Sequence, residues 1–209
     1  MKVSLPLKDM KNVNKKDVLV HINEVSFFEF IIYYMINWKT RKQVNLKNWI
    51  TENDTLPTDL KSKVNYIKKL DTNTDKIYEV LKFVNDNITY TSDNVTWKVD
   101  EYWQTPKETW TIKKGDCEDG AILVYAIASY LGIPDYQIFI VASDVVGGGH
   151  CYLVYLSDED GLEYPIDWCY WFDESYGKRY PYATVNNYFK GTCEWFRFNK
   201  SGHYKLWTK

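Results

Sequence analysis

Cysteine is scarce in this sequence, and no two cysteines form a closely spaced pair. The chain of 209 residues has four cysteines, at positions 117, 151, 169 and 193, and no CxxC motif. A thioredoxin-type redox site and a zinc knuckle both require such a pair, and a disulfide scaffold requires more cysteines. We therefore expect four free thiols.

An excess of basic charge is also absent. Lys and Arg total 26, Asp and Glu total 28, and the formal net charge is -2. A chain with this balance, and with no dense run of Lys or Arg, does not attract a phosphate backbone. We therefore expect no nucleic-acid partner.

Long apolar runs are missing as well. The most apolar stretch, Val25 to Trp38, is too short to cross a bilayer and contains Glu29, so it is interpreted as a buried helix or a partner-facing surface in a larger assembly. The first residues show no secretory signal pattern, which predicts a cytoplasmic protein without a membrane span. The abundance of Asn, Lys and Tyr is compatible with an AT-rich genome, such as a phage or another mobile element.

The chain divides into two predicted parts. Residues 1–71 are interpreted as an N-terminal appendage without an assigned role, with a helical pattern through Leu60, Val64 and Ile67. Residues 72–209 are interpreted as a catalytic domain, which a helix containing Ile77 and Val84 enters.

The predicted catalytic domain has one apolar helix followed by strands. Gly115-Asp116-Cys117-Glu118-Asp119-Gly120 opens the helix, which ends at Gly132-Ile133-Pro134. The pattern then predicts strands near residues 136–142, 150–156 and 164–168, and a C-terminal hairpin of residues 194–198 and 204–207. This order indicates an α+β fold in which the helix packs on an antiparallel sheet.

Cys117 is placed where a helix favours a reactive thiol. The unpaired N–H groups and the positive end of the dipole in a first helical turn stabilise a thiolate. The same N–H groups can bind the oxyanion that develops when a thiolate attacks a carbonyl. Cys117 is therefore the predicted nucleophile.

A base and a carboxylate follow in the order that a triad needs. His150 comes directly after three glycines at the start of a predicted strand, whereas His21 and His203 lie in flanking segments. Asp167 lies on the next predicted strand, where antiparallel pairing places it beside His150 to hold the imidazole. A structural histidine and a turn carboxylate are the competing interpretations of these two residues.

These motifs carry a family resemblance. GDCEDGAILVYAIASYLGIP, GGGHCYLVY and YPIDW, in this order, resemble the core of the transglutaminase-like superfamily, and DEYWQTPKETW is similar to the bacterial transglutaminase-like cysteine proteinases. The resemblance covers roughly residues 72–170. It implies a papain-like α+β fold and a triad of Cys117, His150 and Asp167.

The resemblance also suggests which residues could bind a metal ion and which could contribute to an oxyanion hole. It implies that Asp116 and Glu118 ligate calcium, although two carboxylates are an incomplete site, and helix capping by the same residues is the simpler interpretation. No other cofactor is expected. Trp103 or Gln104 is the expected side-chain contributor to an oxyanion hole, with packing as the alternative role of both.

The resulting hypothesis is a cysteine peptidase that cleaves a peptide or isopeptide bond of a protein substrate through a thioester on Cys117. An amine in place of water would make the same site a transglutaminase, which is the first alternative. A non-enzymatic binding or structural module on the same fold is the second.

Overall fold

The computed structural model of the chain describes residues 46–99, 101–145, 148–169 and 194–204. The predicted strand at residues 18–22 and the apolar stretch at residues 25–38 lie outside the described residues. Among the described residues, no helix combines the length and the apolar character that crossing a bilayer requires.

Within the described residues, six α-helices precede the main sheet, and two 3₁₀ turns, Asn65–Lys69 and Asp135–Gln137, connect elements. The periodicity through Leu60, Val64 and Ile67 proves to be one short α-helix continued by the first of these turns. The helices are α1 (Leu46–Asn53), α2 (Thr58–Val64), α3 (Asn73–Asn87), α4 (Asp93–Thr96), α5 (Pro106–Ile112) and α6 (Cys117–Tyr130).

The helix starts follow ordinary capping chemistry. Thr72 precedes α3, and its hydroxyl accepts the Asp75 N–H. At α5, Thr105 and Glu108 each bond to the backbone N–H of the other, and Pro106 occupies the first helical position, which has no need of an N–H donor.

The strands form two sheets. A short parallel pair joins β1 (Thr89–Tyr90) to β2 (Lys114–Gly115). The main sheet has the order β5-β4-β3-β6-β7, with all neighbours antiparallel. Its strands are β3 (Ile138–Val145), β4 (Gly148–Leu156), β5 (Glu163–Ile166), β6 (Glu194–Phe198) and β7 (His203–Tyr204).

Helix α6 lies at the centre of the core. It is apolar on all sides, which is typical of a helix surrounded by other elements, and residues 118–128 are all buried. It packs on β3 and β4 on one side and on α3 and α5 on the other. Its first residue, Cys117, therefore lies at the end of a helix that the surrounding elements hold in place.

The face of the sheet opposite α6 carries a second buried cluster, together with a buried arginine side chain. Val141, Tyr152 and Val154 are fully buried there. Arg197 on β6 binds Glu194 on its own strand and Glu163 on β5. Because β4 and β3 lie between β5 and β6, this network ties distant strands together.

The predicted α+β fold, with the nucleophile helix on an antiparallel sheet, is confirmed. The core also includes Leu46, Ile50 and Leu60, so α1 and α2 pack with the elements that follow them. The division between an appendage and a catalytic domain at residue 72 stays a prediction.

Candidate active site

Cys117 is the first residue of α6, as the GDCEDG motif predicts. The Asp119 carboxylate accepts the backbone N–H of Asp116 at 3.2 Å, and the Gly120 N–H donates to the Asp116 carbonyl at 3.2 Å. These bonds fix the turn that contains the candidate nucleophile, Cys117.

Gly115 is required in front of this turn. A Cβ at this position would lie 2.6 Å from the Asp119 Cβ and 2.9 Å from its Oδ2, closer than side chains approach one another. Glycine therefore lets the Asp119 carboxylate fold back toward the helix start.

The candidate base and the candidate carboxylate of the triad form a buried pair. His150 lies near the beginning of β4, and its Nε2 is 2.7 Å from Asp167 Oδ2. Asp167 Oδ1 accepts the Cys169 N–H at 3.0 Å, and Asp167 is completely buried. Strand β5 ends at Ile166, so Asp167 is held by the following turn and not by the predicted strand itself.

One cavity of about 220 Å³ collects these groups. It lies where α6 begins, at the starts of β4 and β6 and near the end of β3. Cys117 and His150 both border it. The other lining residues are Glu101, Trp103, Glu118, Ala142, Gly149, Cys151, Trp195 and Phe196.

Residue Cys117 is partly exposed, and its sulfur donates a hydrogen bond to Glu118 Oε2 at 3.1 Å. Burial raises its pKa well above the usual value, and charge at Cys151 and Asp116 acts in the same direction. Desolvation and neighbouring negative charge therefore oppose the stabilisation of a thiolate by the helix start.

Carboxylates from three segments surround the start of α6. Oxygens of Asp93, Glu101 and Glu118 lie within 4.8 Å of one another, and so do those of Asp93, Asp116 and Asp119. Asp93, Glu118 and Asp119 are buried, so water does not screen their mutual repulsion. Of this cluster, the sequence resemblance indicates only Asp116 and Glu118 as calcium ligands.

These acids hold protons more tightly than isolated carboxyls. Burial raises the pKa of Asp116 to about 6 and that of Asp119 to about 8. Burial, together with nearby Cys117 and Glu101, also raises the pKa of Glu118 well above its usual value. Asp116 Oδ1 and Glu118 Oε1 are buried without a hydrogen-bond partner. Converging carboxylates with such orphaned oxygens fit a hard divalent cation such as Ca²⁺.

The two candidate oxyanion donors are placed differently. Trp103 borders the cavity, and its indole N–H donates to Glu101 Oε1 at 2.9 Å. Gln104 is fully buried and is absent from the lining of this cavity; its amide group donates to Asp119 and to the Lys114 carbonyl. Its backbone N–H also donates to Asp119 at 2.8 Å. These hydrogen bonds indicate that Gln104 holds the Asp119 carboxylate in place.

Comparisons with known proteins identify the family of the chain. The family model for the bacterial transglutaminase-like cysteine proteinase BTLCP matches residues 39–162, more than half of the chain, and the match includes Cys117 and His150. No curated protein sequence matches the chain.

Solved structures of LapG from Legionella pneumophila have a similar fold. The EGTA-treated form aligns with a TM-score of 0.56 and 20% identity, over 78% of this chain and 84% of that one. The calcium-bound form aligns with a TM-score of 0.54 and 20% identity, over 77% of this chain and 87% of that one.

Proposed function

The chain belongs to the bacterial transglutaminase-like cysteine proteinase family, and on this premise we propose that it cleaves an amide bond of a protein or peptide through a thioester on Cys117. One observation carries the proposal. Cys117 borders the same cavity as His150, and His150 is bonded to the buried carboxylate of Asp167.

The proposed acylation step begins with proton transfer. Asp167 contacts Nε2 of His150, so Nδ1 is the ring atom that takes the proton from the Cys117 sulfur. The sulfur then attacks the substrate carbonyl, and the backbone N–H of Cys117 stabilises the oxyanion. The Trp103 indole N–H would add a second bond to the oxyanion by exchanging its bond to Glu101. When the amide C–N bond breaks, His150 returns the proton to the departing amine.

Deacylation uses the same groups. His150 removes a proton from an incoming water, whose oxygen attacks the thioester carbonyl and releases the acid product with the Cys117 thiol. Asp167 keeps the imidazole in one orientation through both steps, because its second oxygen is fixed by the Cys169 N–H.

We propose further that Asp93, Glu101, Asp116 and Glu118 hold a calcium ion. LapG has a calcium-bound structure, and the orphaned oxygens of Asp116 and Glu118 support the same ion here. When bound, the cation supplies positive charge beside Cys117 and so favours the thiolate. Asp119, whose oxygens accept bonds from Gln104 and Asp116, positions the carboxylate-bearing turn.

Product analysis tests the reaction directly. The protein is incubated with calcium and a defined mixture of synthetic peptides, and the products are identified by mass spectrometry. We expect shortened peptides whose formation is abolished by Cys117→Ala. Ser62→Ala, an exposed change on α2, is the control and should preserve cleavage.

The amine acceptor is tested in the same assay. If the enzyme transfers acyl groups, added methylamine would give peptides that carry the amine on a new carboxyl end, with release of the remaining peptide, or on a glutamine side chain, with release of ammonia. Hydrolysis gives free acids at all methylamine concentrations. If no peptide is changed in either condition, while the protein is folded and calcium is present, the peptidase proposal is contradicted.

A further inference from the structure

Trp168 bonds to the proposed nucleophile, Cys117, and directly follows Asp167, which holds the proposed base, His150. Its indole N–H donates to the Cys117 carbonyl at 3.1 Å. Its neighbour along the chain, Asp167, contacts His150 at 2.7 Å. Two consecutive residues in one turn therefore hold the base on one side and the first residue of α6 on the other.

The indole itself is tightly enclosed. Trp168 is 2% exposed, and its ring lies 6.0 Å from that of Tyr90 between centroids. Its contact with α6 is possible only because position 120 is glycine. A Cβ there would lie 2.1 Å from Trp168 Cε2 and 2.2 Å from its Nε1. The second glycine of GDCEDG thus makes room for this one side chain.

We propose that Trp168 is a positioning residue, which fixes Cys117 at the distance from His150 that proton transfer requires. The inference rests on the proposed function, since it assumes that Cys117 and His150 react together. It assigns Trp168 no contact with the substrate.

The choice of tryptophan follows from what this position has to do. The indole fills the space beside Gly120 and also donates one hydrogen bond to the helix start. Phenylalanine keeps a planar ring but has no N–H donor. Displacement of a reacting group by about 1 Å is enough to lower a rate by about a hundredfold, so a loosened first turn should slow the chemistry before it unfolds the protein.

The test compares two tryptophans. Trp168→Phe removes the bond to Cys117, whereas Trp110→Phe removes the bond from another buried indole to the exposed carboxylate of Asp59, at 2.6 Å. The calcium-saturated full-length proteins are treated with iodoacetamide. The alkylation rates of Cys117, Cys151 and Cys169 are then measured by peptide mass spectrometry, together with Tm.

A positioning role predicts a change at one cysteine only. In Trp168→Phe, Cys117 should be alkylated about tenfold more slowly, while Cys151 and Cys169 stay protected. In Trp110→Phe, Tm should fall and the Cys117 rate should stay within about twofold of wild type. A wild-type Cys117 rate in Trp168→Phe, or faster alkylation of all three cysteines, would overturn the proposal, because the second result is what general loosening produces.

Gly120→Ala approaches the same contact from the helix. Its added Cβ should displace the indole and slow Cys117 alkylation, and Trp168→Leu in the same protein should restore part of the lost stability. Additive losses of stability in the double variant would contradict the contact. Slow alkylation of Cys117 in the wild-type protein would instead count against the proposed function, so the two failures are distinguishable.

Discussion

The Cys117 sulfur donates a hydrogen bond to Glu118 Oε2 at 3.1 Å, so the candidate nucleophile touches the candidate cation site. Glu118 also lies within 4.8 Å of Asp93 and Glu101, measured between ligand atoms. A cation bound by these carboxylates would be coordinated by Glu118, the same side chain that accepts the hydrogen bond of the thiol. Reactivity and ion binding are therefore expected to change together.

Calcium should stabilise the folded protein. A ligand at a hundred times its Kd adds about 2.7 kcal/mol to the free energy of unfolding, which for a chain of this size raises Tm by about 5–10 °C. Differential scanning calorimetry in calcium and in EGTA measures the difference.

Glu118→Gln tests whether the ion binds at this cluster. It should abolish most of the calcium-dependent rise in Tm, because it removes a charged ligand. The control is Asp86→Asn, which changes an exposed carboxylate on α3 and should preserve the rise. Equal Tm values of the wild-type protein in calcium and EGTA would refute the calcium proposal.

Asp167→Asn should lower peptide turnover by at least about a hundredfold, since an amide cannot stabilise the imidazolium that forms in both steps. The substitution keeps the size of the side chain, and Tm should change little. Asp160→Asn, on an exposed turn, is the matched control and should retain turnover. Full activity of the Asp167 variant would remove this residue from the triad.

Gly115→Ala should disrupt the turn before the nucleophile. Its Cβ would lie 2.6 Å from the Asp119 Cβ, and overpacking of this kind costs about 1–3 kcal/mol. Isothermal titration should show weakened calcium binding. Gly132→Ala, at a position with φ of 90° and no atom near the added Cβ, should lose stability through backbone strain and bind calcium as the wild type does.

Arg197→Met should destabilise the sheet. It would leave Glu194 buried without the guanidinium that binds it at 2.7 Å, and breaking a buried ion pair from one side costs about 3–5 kcal/mol. Urea unfolding measures the loss. Lys107→Met, an exposed change on α5, should stay within about 0.5 kcal/mol of wild type, and a similarly small effect at Arg197 would contradict the role of this network.

The local patterns in the sequence were sufficient to predict the helix and strands around the site. GDCEDG predicts a helix start, and the structure begins α6 at Cys117. Three glycines before His150 predict the start of a strand, and β4 begins at Gly148. Such signals come from residues that are close together in the sequence, so they can be recognised without knowledge of the tertiary structure.

The rest of the site depends on contacts between distant segments. Asp93 and Glu101 join Glu118 only because the chain between α3 and α5 folds over the start of α6. Glu101 belongs to the DEYWQTPKETW motif, so its place near the site could have been inferred from the sequence. No sequence pattern indicates Asp93. Trp195 and Phe196 border the cavity because β6 pairs with β3, a partner that is not its neighbour in sequence.

The central claim is that His150 activates Cys117, and alkylation of Cys117 in the presence and absence of His150 tests it most directly. With calcium near neutral pH, iodoacetamide should modify Cys117 about tenfold faster than a cysteine in an unfolded peptide. His150→Ala should remove this advantage, whereas His203→Ala should retain it. A Cys117 that reacts no faster than the unfolded peptide, and equally fast in both histidine variants, would contradict the account.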